Sequence, residues 1–278
     1  MKIAISAEST IDLSKDVLEK YDIHILPFTV ILGGTTFKDG EITPKQIFDY
    51  VEEKKVLPKT SAVNEFEYED YFSSLLKDYD AVVHYGLSSG LTSSTGSAIA
   101  ASKKLKNVYV VDTLSLSSGI ALLTIQGSKM AKDGLSAEEI YNKSLALREK
   151  VQCSFVLNTL EYLYKGGRCT GLQRFGSILL RIKPEIIMEN GKLITGTKFH
   201  GKSSEAVKNY CEDILEKFPD IDDELVFVTH SGAKEETVEL AKEIVQKAGF
   251  KNIIVQTAGA TISSHCGPKC LGILYLRK

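Results

Sequence analysis

Residues 84–102, HYGLSSGLTSSTGSAIAAS, contain the turn around which the rest of the chain is organised. The stretch follows a short apolar run at 81–83 typical of a buried strand, and it ends in an alanine-rich run that suits a helix. Such a strand, turn and helix collects free backbone N–H groups at the positive end of the helix, where an anion is well solvated. An N-cap with a solvated loop explains the pattern equally well. The turn adds hydroxyls from Ser88, Ser89, Thr92, Ser93, Ser94 and Thr95.

The length and composition describe a globular chain. Its 278 residues are enough for two ordinary domains, and hydrophobic residues make up 43% and charged residues 25% of them. A net charge of −2 without a long basic run disfavours nucleic-acid binding. The start, MKIAISAEST, lacks the features of a signal peptide, and no apolar run is long enough to cross a bilayer. We therefore expect a cytoplasmic protein, with transient contact with a membrane surface left open.

The cysteines indicate neither a disulfide framework nor a metal centre. There are five of them, scattered along the chain, which is typical of reduced thiols. His265, Cys266 and Cys270 are close enough in sequence to suggest a metal, but the segment lacks a second ligand pair at the spacing of a zinc finger. We therefore expect no metal and no cofactor.

Strand-like and helix-like segments alternate along the chain, which predicts an α/β fold. Residues 1–150 are expected to form a domain with an open parallel sheet and helices on both faces. Residues 151–278 are expected to form a second α/β domain with a mixed sheet. The ligand site would lie between the two domains, because polar residues recur at the strand ends, where open parallel sheets bind ligands.

Several local predictions bear on the site. Residues 24–34, HILPFTVILGG, predict one strand that carries a proline, and residues 56–61 predict an extended loop. In the second half we expect a helix within residues 172–182, a hairpin that turns at Asn190-Gly191, and a loop around His265 before a final strand. The helix that follows the 56–61 loop is expected to bury Phe66, Tyr71, Phe72, Leu75 and Leu76.

Side chains able to hold an anion fall in predicted loops at the ends of strands and helices. They are the hydroxyls of Thr60, of the 88–95 cluster and of Ser263-Ser264, with His265 and with Arg168 beside a double glycine. Neutral donors, an imidazole and a guanidinium together suit a carboxylate or a phosphate. Separate structural roles remain open, because Thr60 can cap a helix, His265 a turn, and Arg168 the end of a helix.

A serine hydrolase is the alternative from another class of protein. Gly86-Leu87-Ser88-Ser89-Gly90 satisfies the Gly-x-Ser-x-Gly pattern of a nucleophilic serine. His230 or His265 would then serve as the base. The pattern is weak evidence, because five residues of this kind arise easily by chance in a loop rich in serine and glycine.

A series of segments has the order and spacing of a known family, and on them the chain resembles the DegV family over nearly its full length. The resemblance implies a two-domain α/β protein that holds one long-chain fatty acid between its domains, with the carboxylate inward. It also implies a non-catalytic role in bacteria, in which the protein presents the acid to a separate ATP-dependent kinase subunit that makes acyl phosphate. The segments are ESTIDL, LPFTV, FKDGEIT, KTSAVNEF, LSSGLTSSTGSA, VVDTLSLSSGIALL, LEYLYKGGR, IKP and HCGPKCLG.

The resemblance assigns carboxylate-binding roles residue by residue. Thr60 matches the threonine of the family's Thr-Ser motif. Thr92 stands where the family usually has the serine of a Ser-Gly-Thr motif, and Ser93 replaces the glycine of that motif. His265 matches the histidine of a His-x-Gly-Pro-Gly motif, in which Lys269 replaces the last glycine.

The resemblance also implies residues that serve the kinase. Arg168 matches the arginine after the double glycine, a candidate for supporting phosphoryl transfer or docking of the kinase subunit. His200 stands where many members carry an arginine, and an imidazole is a poorer phosphate partner at neutral pH. Glu8 replaces the usual aspartate.

The acyl chain needs an apolar lining, for which two helices supply candidates. Each methylene that leaves water contributes about 0.8 kcal/mol to binding, so a dry tunnel would hold a long chain well. Ordinary core packing explains the same residues. The lining candidates are Ile120, Leu122, Leu123, Phe175, Ile178, Leu179 and Ile182.

Overall fold

The computed structural model describes residues 1–169 and 182–278, and its elements are numbered here in chain order. The strands are β1 (Ile3–Glu8), β2 (Ile23–Leu26), β3 (Thr29–Leu32), β4 (Thr35–Lys38), β5 (Lys59–Ser61), β6 (Ala81–Gly86), β7 (Val108–Asp112), β8 (Val151–Gln152), β9 (Ser154–Val156), β10 (Lys183–Glu189), β11 (Lys192–Phe199), β12 (Ile221–Ser231), β13 (Asn252–Thr257) and β14 (Cys270–Arg277). The helices are α1 (Lys15–Tyr21), α2 (Pro44–Lys54), α3 (Glu65–Leu75), α4 (Ser94–Ser102), α5 (Ser118–Lys132), α6 (Ala137–Leu147), α7 (Glu161–Gly166), α8 (Ser203–Lys217), α9 (Glu235–Lys247) and α10 (Ala260–Cys266).

A four-stranded parallel sheet forms the first layer, in the order β2-β1-β6-β7. Neighbouring residues of β6 point to opposite faces of it, as they must in a strand. The ring of His84 meets Phe72 of α3 on one face, while the hydroxyl of Tyr85 bonds to Ser144 of α6 on the other. The prediction of a parallel sheet with helices on both faces is confirmed.

The second sheet is mixed and contains the strands β8 to β14, all from the second half of the chain. Its order is β11-β10-β9-β14-β12-β13, with β8 paired to β14. Most neighbours run antiparallel, and β12 and β13 run parallel. Val207 and Tyr210 of α8 and Ala241 and Val245 of α9 pack into a core with this sheet. The predicted hairpin is present, with Asn190 and Gly191 between β10 and β11 and both at positive φ.

A small antiparallel sheet, β4-β3-β5, was not predicted. Residues 24–34 form two strands in two sheets, because Pro27 lies between β2 and β3 and has no N–H to donate to a ladder. Residues 59–61, predicted as a loop, form β5, in which Thr60 is opposite Val30. Ile47 of α2 and Ala260 of α10 complete the core of this sheet.

The two large sheets share apolar contacts. One core cluster contains Val83 of the parallel sheet, Ile120 and Leu123 of α5, and Phe227 and Leu274 of the mixed sheet. The strands of the parallel sheet end before residue 113 and those of the mixed sheet begin at residue 151. The domain boundary near residue 150 agrees with this division and stays a prediction.

Candidate functional site

A cavity of about 480 Å³ lies where the three sheets meet. Its size is that of a small-molecule site, and most of its wall is apolar. Apolar residues from all three sheets and from the adjoining helices contribute: Phe28, Leu87, Leu91, Leu116, Phe155, Leu163, Leu193, Ile262 and Leu274. Polar residues of the wall include Thr60, Ser89, Thr92, Ser93, Ser117, Arg168, Thr229, His230, Ser231, Thr261 and His265.

Thr60 and His265, which are 205 positions apart in the chain, meet at this cavity. The hydroxyl oxygen Oγ1 of Thr60 lies 2.8 Å from Nε2 of His265 in a hydrogen bond. Thr60 is positioned by β5 and His265 by the last turn of α10. The predicted loop around His265 is therefore a short helix, and the expected proximity of these two residues is present in the structure.

The imidazole of His265 is neutral near pH 7. Burial, with a smaller contribution from the positive charge of Arg168, lowers its pKa to about 4. Its second nitrogen, Nδ1, is buried without a hydrogen-bond partner in the described structure. A neutral imidazole bonded to a hydroxyl can relay a hydrogen bond, with Nε2–H donating to Thr60 and Thr60 donating to a ligand.

The double glycine before Arg168 brings α7 close to His265. A Cβ on Gly166 would lie 2.8 Å from His265 Nδ1, so only glycine allows this approach. Gly167 ends the helix with a φ of 70°, a conformation that suits glycine. Arg168 follows at the cavity wall, is exposed to solvent, and donates from Nη1 to the carbonyl of Gly166 at 2.5 Å.

Thr92 and Ser93 lie in the turn before α4 and also line the cavity. The Thr92 hydroxyl accepts a hydrogen bond from the backbone N–H of Ser94, the first residue of α4, at 3.1 Å. Ser93 has a φ of −80°, which any residue adopts, so a serine at this position has no backbone strain. The turn between β6 and α4, residues 87–93, is called the hydroxyl turn. The cavity opens to solvent there, because four of its lining residues are exposed: Ser89, Gly90, Ser93 and the nearby Arg168.

Glu8 holds the hydroxyl turn through hydrogen bonds from the end of β1, a role that the sequence did not predict. Its carboxyl group is fully buried at the end of β1, accepts the Leu87 N–H at 2.5 Å and accepts the Tyr68 hydroxyl at 2.5 Å. Tyr68 also bonds to Ser94, the first residue of α4, at 2.8 Å. Burial raises the pKa of Glu8 to about 7. An acidic residue at the carboxyl end of a parallel strand is the signal in the sequence that could have indicated this role.

The lining candidates on α5 do not reach the cavity. Ile120, Leu122 and Leu123 are packed in the core between α5 and the sheets. Ile182 is buried immediately before β10 and is also absent from the cavity wall. Every residue of α5 from Ser118 to Ile125 is buried, so the large apolar side chains in this stretch belong to the core. Phe175, Ile178 and Leu179 lie outside the described residues.

His200 is exposed just after β11 and does not line the cavity. It stays a predicted contact for the kinase subunit.

The geometry of Ser88 does not resemble that of a nucleophilic serine. Its hydroxyl is buried and donates to the carbonyl of Gly191 at 2.7 Å. A hydrolase needs the serine hydroxyl within hydrogen-bond reach of a base, and in the described structure His265 is bonded to Thr60 instead. The five-residue pattern at 86–90 is therefore part of a packed turn.

Two further features are absent from the described residues. Their His, Cys, Asp and Glu side chains form no group of three or more that could hold a metal ion. None of their helices is both long enough and apolar enough to span a membrane.

Fold and site together define an α/β protein with a mainly apolar, partly enclosed ligand cavity whose polar end opens to solvent. The model of the DegV family matches residues 2–278. The chain therefore belongs to the DegV family.

Known relatives cover the whole chain. A fatty acid-binding protein of Thermotoga maritima is 31% identical over 280 residues, which cover 98% of this chain and 96% of that protein. A solved DegV family protein from Thermus thermophilus, described as binding fatty acid, superposes with a TM-score of 0.91 at 28% identity over 100% of both chains. Bacillus subtilis DegV, described as a fatty acid binding protein, superposes with a TM-score of 0.88 at 26% identity over 100% of both chains.

Proposed function

We propose that the protein binds one long-chain fatty acid in the cavity and presents its carboxylate to a separate ATP-dependent kinase subunit. The observation that carries the proposal is the Thr60–His265 hydrogen bond at the polar side of an apolar cavity. An amphipathic ligand matches such a wall, with its acidic head among the hydroxyls and its tail among the apolar side chains. The relatives described as fatty acid-binding proteins support the same ligand.

The carboxylate would be held by uncharged donors. The Thr60 hydroxyl would donate to it while accepting from Nε2–H of His265, and hydroxyls of Thr92 and Ser93 stand in the same wall. A carboxylate removed from water needs several such hydrogen bonds to offset its desolvation. Arg168 would add a positive charge at the mouth, where solvent weakens its effect.

The acyl chain would supply most of the affinity. Each methylene transferred from water to the apolar wall contributes about 0.8 kcal/mol, so a long tail outweighs the cost of ordering it. A free fatty acid therefore binds through its tail and is oriented through its head.

The exposed polar end suits transfer of a phosphoryl group. A carboxylate oxygen would attack the γ-phosphorus of ATP held by the kinase subunit, forming the acyl phosphate and releasing ADP. Ser89, Ser93 and Arg168 are exposed at this end, so a second protein can reach the head without extracting the tail. We place Arg168 and His200 in the docking or support of that subunit.

Binding is tested with delipidated protein and palmitate by native mass spectrometry and by titration calorimetry. We expect one palmitate per chain. Thr60→Val should weaken binding about 5-fold to 150-fold, because a hydrogen bond to a charged group is lost. Thr36→Val, at an exposed threonine of β4, is the matched control and should bind like the wild type. A wild-type protein that takes up neither palmitate nor oleate would refute the proposal.

Presentation to the kinase is tested separately. The protein is mixed with ATP, palmitate and an ATP-dependent kinase subunit that acts with a DegV family protein. Acyl phosphate is then measured by mass spectrometry. His200→Ala should slow acyl phosphate formation while palmitate still binds, whereas Lys234→Ala, at an exposed lysine, should have no effect. Palmitate that binds and is never phosphorylated would exclude the kinase role and leave the binding role intact.

A further inference from the structure

The carboxyl group of Glu8 is buried behind the hydroxyl turn without a positive charge bonded to it. Glu8 has no exposed surface. Its hydrogen-bond partners among the described residues are uncharged: the Tyr68 hydroxyl at 2.5 Å, the Leu87 N–H at 2.5 Å and the Thr10 hydroxyl at 3.5 Å. A carboxylate in such a place is costly, because burial removes the water that stabilises the charged form. The group therefore exchanges its proton near neutral pH, in line with a pKa of about 7.

Hydrogen bonds connect this carboxyl group to the part of the cavity wall that would hold the head of the ligand. Leu87, whose N–H bonds to Glu8, is the first residue of the hydroxyl turn and lines the cavity. The Tyr68 hydroxyl bonds to Oγ of Ser94 at 2.8 Å, and the N–H of Ser94 donates to Oγ1 of Thr92 at 3.1 Å. The charge of Glu8 therefore acts on the turn from two directions.

The elements packed around this carboxyl group bring no positive charge to it. Burial raises the pKa of Tyr68 and Tyr71 on α3, so both are neutral near pH 7. Burial lowers the pKa of His84 on β6 to about 3, so its imidazole is neutral as well. The residue of β2 opposite the glutamate is Leu26. Neither α4 nor residues 118–125 of α5 contain a titratable side chain.

Two aspartates lie near the same end of β1, but their hydrogen bonds lead elsewhere. Asp39 accepts the hydroxyl of Ser9 at 3.0 Å, and Asp12 accepts the hydroxyl of Ser117 at 2.5 Å. Both also accept backbone N–H groups at the start of α10, which is about 9 Å along the helix axis from His265. Of these acidic groups, the glutamate is the one bonded to the hydroxyl turn.

A fatty acid bound at the hydroxyl turn would bring a second carboxyl group close to Glu8. Two carboxyl groups in one poorly solvated site do not both ionise freely, so one of them takes up a proton. The ligand's carboxylate would keep its charge, because hydroxyls of Thr60 and Thr92 and solvent at the mouth stabilise it. Glu8 has no solvent, so it is the better site for the proton.

We propose that Glu8 is a positioning residue that couples fatty-acid binding to protonation: the ionised acid enters the cavity, and one proton from solvent is taken up by Glu8. The inference rests on the proposed fatty-acid function and adds a proton to the binding reaction. The acid proton would lie between Oε1 of Glu8 and the oxygen of Tyr68, whose own hydroxyl then donates to Ser94. The same proton returns to solvent when the fatty acid leaves.

The test is titration calorimetry with palmitate in buffers that differ in ionisation enthalpy, which counts the protons taken up. If binding raises the pKa of Glu8 by about one unit, the wild type should take up about 0.5 proton per palmitate at about pH 7.5. The dissociation constant should then rise about 5-fold from about pH 7 to about pH 9. Glu8→Gln should take up no proton at about pH 7.5, whereas Glu19→Gln, at an exposed residue of α1, should behave like the wild type.

Infrared difference spectra give a second measurement that needs no substitution. Adding palmitate to the wild type at about pH 7.5 should increase the band of a protonated carboxyl group. The band should shift when the glutamates of the protein are labelled with ¹³C and stay in place when the carboxyl carbon of palmitate is labelled.

The outcomes separate this inference from the function on which it rests. Palmitate that binds to the wild type without proton uptake would overturn the inference and leave fatty-acid binding intact. Uptake that persists in Glu8→Gln, or a band that follows the label on palmitate, would place the proton on another group and also overturn it. A wild type that binds no palmitate would instead refute the proposed function.

Discussion

Glu8 is the buried acid on which the hydroxyl turn depends. It connects β1 with Tyr68 of α3 and with Leu87, the residue after β6, through hydrogen bonds of 2.5 Å. Its raised pKa has a consequence for stability, because the folded protein holds a proton that the unfolded chain releases. The stabilising contribution of protonated Glu8 is complete below pH 4.5 and is lost as the pH rises through about 7.

We predict that Glu8→Gln flattens the pH dependence of folding. In the wild type the contribution of Glu8 to the free energy of unfolding should fall by about 3 kcal/mol between these two pH values, and a permanently neutral glutamine should not lose it. Urea unfolding from about pH 5 to about pH 8 measures the difference between the two proteins. Glu19→Gln, at an exposed residue of α1, should keep the wild-type slope. Parallel curves for the wild type and Glu8→Gln would show that Glu8 is ionised normally.

Lys269, which the resemblance matches to a glycine, has its backbone in the left-handed region that favours glycine. Its φ is 61°, and its N–H donates to the carbonyl of Ser231 at 2.6 Å, which holds it there. A side chain at this φ brings Cβ too close to the backbone.

We therefore predict that Lys269→Gly raises the free energy of unfolding by about 1 kcal/mol, measured by urea denaturation. Lys269→Ala is the matched control and should give no such gain, because alanine keeps the Cβ. Equal effects of the two variants would attribute the change to the lysine charge instead.

The sequence predicted which polar residues line the cavity better than it predicted the residues that hold them in place. Thr60, Thr92 and His265 were proposed as carboxylate ligands from hydroxyl-rich loops and the family resemblance. The structure brings them to one cavity, and their role in binding a carboxylate stays a prediction. The Thr60–His265 bond joins residues that no local pattern connects, so only the fold brings them together. The role of Glu8 was missed because its partners are a helix residue and a turn amide from elsewhere in the chain.

At the scale of elements, the short helix α10 positions His265, and two aspartates hold its start. Asp39 accepts the N–H groups of Ala260 at 2.9 Å and Thr261 at 3.3 Å, and Asp12 accepts the N–H of Gly259 at 2.9 Å. Carboxylates at a helix start satisfy unpaired N–H groups and complement the helix dipole. Both aspartates come from the first half of the chain, so α10 depends on contact between the halves.

We predict that Asp39→Ala lowers the free energy of unfolding by about 1 to 2 kcal/mol, the usual cost of losing a helix cap. Amide hydrogen exchange in α10 should be faster in the variant than in the wild type, whereas exchange in α9 should stay the same. Asp49→Ala, at an exposed residue of α2, is the control and should change neither quantity. Unchanged exchange in α10 would mean that another group holds the helix start.

The predictions of helices and strands failed in two situations. One is a strand that pairs with a segment distant in the sequence, and the other is a helix in which hydrogen bonds decide which side chain is buried. The strand β5 has three residues and exists only because β3 pairs with it. The helix over residues 65–75 was expected to bury Phe66, which is 75% exposed, whereas Tyr68 is fully buried because its hydroxyl bonds to Glu8 and Ser94. The strand, turn and helix within residues 81–102 were predicted correctly, because the residues that indicate them are contiguous in the sequence. In the structure β6 ends at Gly86 and α4 begins at Ser94.

At the scale of the whole molecule, the cavity wall is assembled from separated stretches. Phe28 and Thr60 come from the small sheet, Leu116 from the loop after the parallel sheet, and Phe155 and Leu274 from the mixed sheet. The family resemblance implied a ligand between two halves, whereas the pattern of any single segment did not define the wall. Filling the cavity would therefore connect all three sheets.

We predict that a fatty acid stabilises the whole protein through both its tail and its head. Palmitate at about 100 times its dissociation constant should add about 2.7 kcal/mol to the free energy of unfolding, seen as a higher melting temperature. Methyl palmitate has the same tail without the charge and should stabilise the protein less. Equal stabilisation by the ester would show that the polar residues around Thr60 and His265 do not recognise the carboxylate.

The most direct measurement of the central claim is the ¹³C NMR signal of palmitate labelled at its carboxyl carbon and bound to the delipidated protein. We predict one bound resonance whose chemical shift stays constant from about pH 5 to about pH 8, because the carboxylate is sequestered and hydrogen-bonded. The shift should change in Thr60→Val and remain the same in Thr36→Val. A bound resonance that titrates like the free acid and ignores Thr60→Val would contradict a carboxylate held at Thr60 and His265.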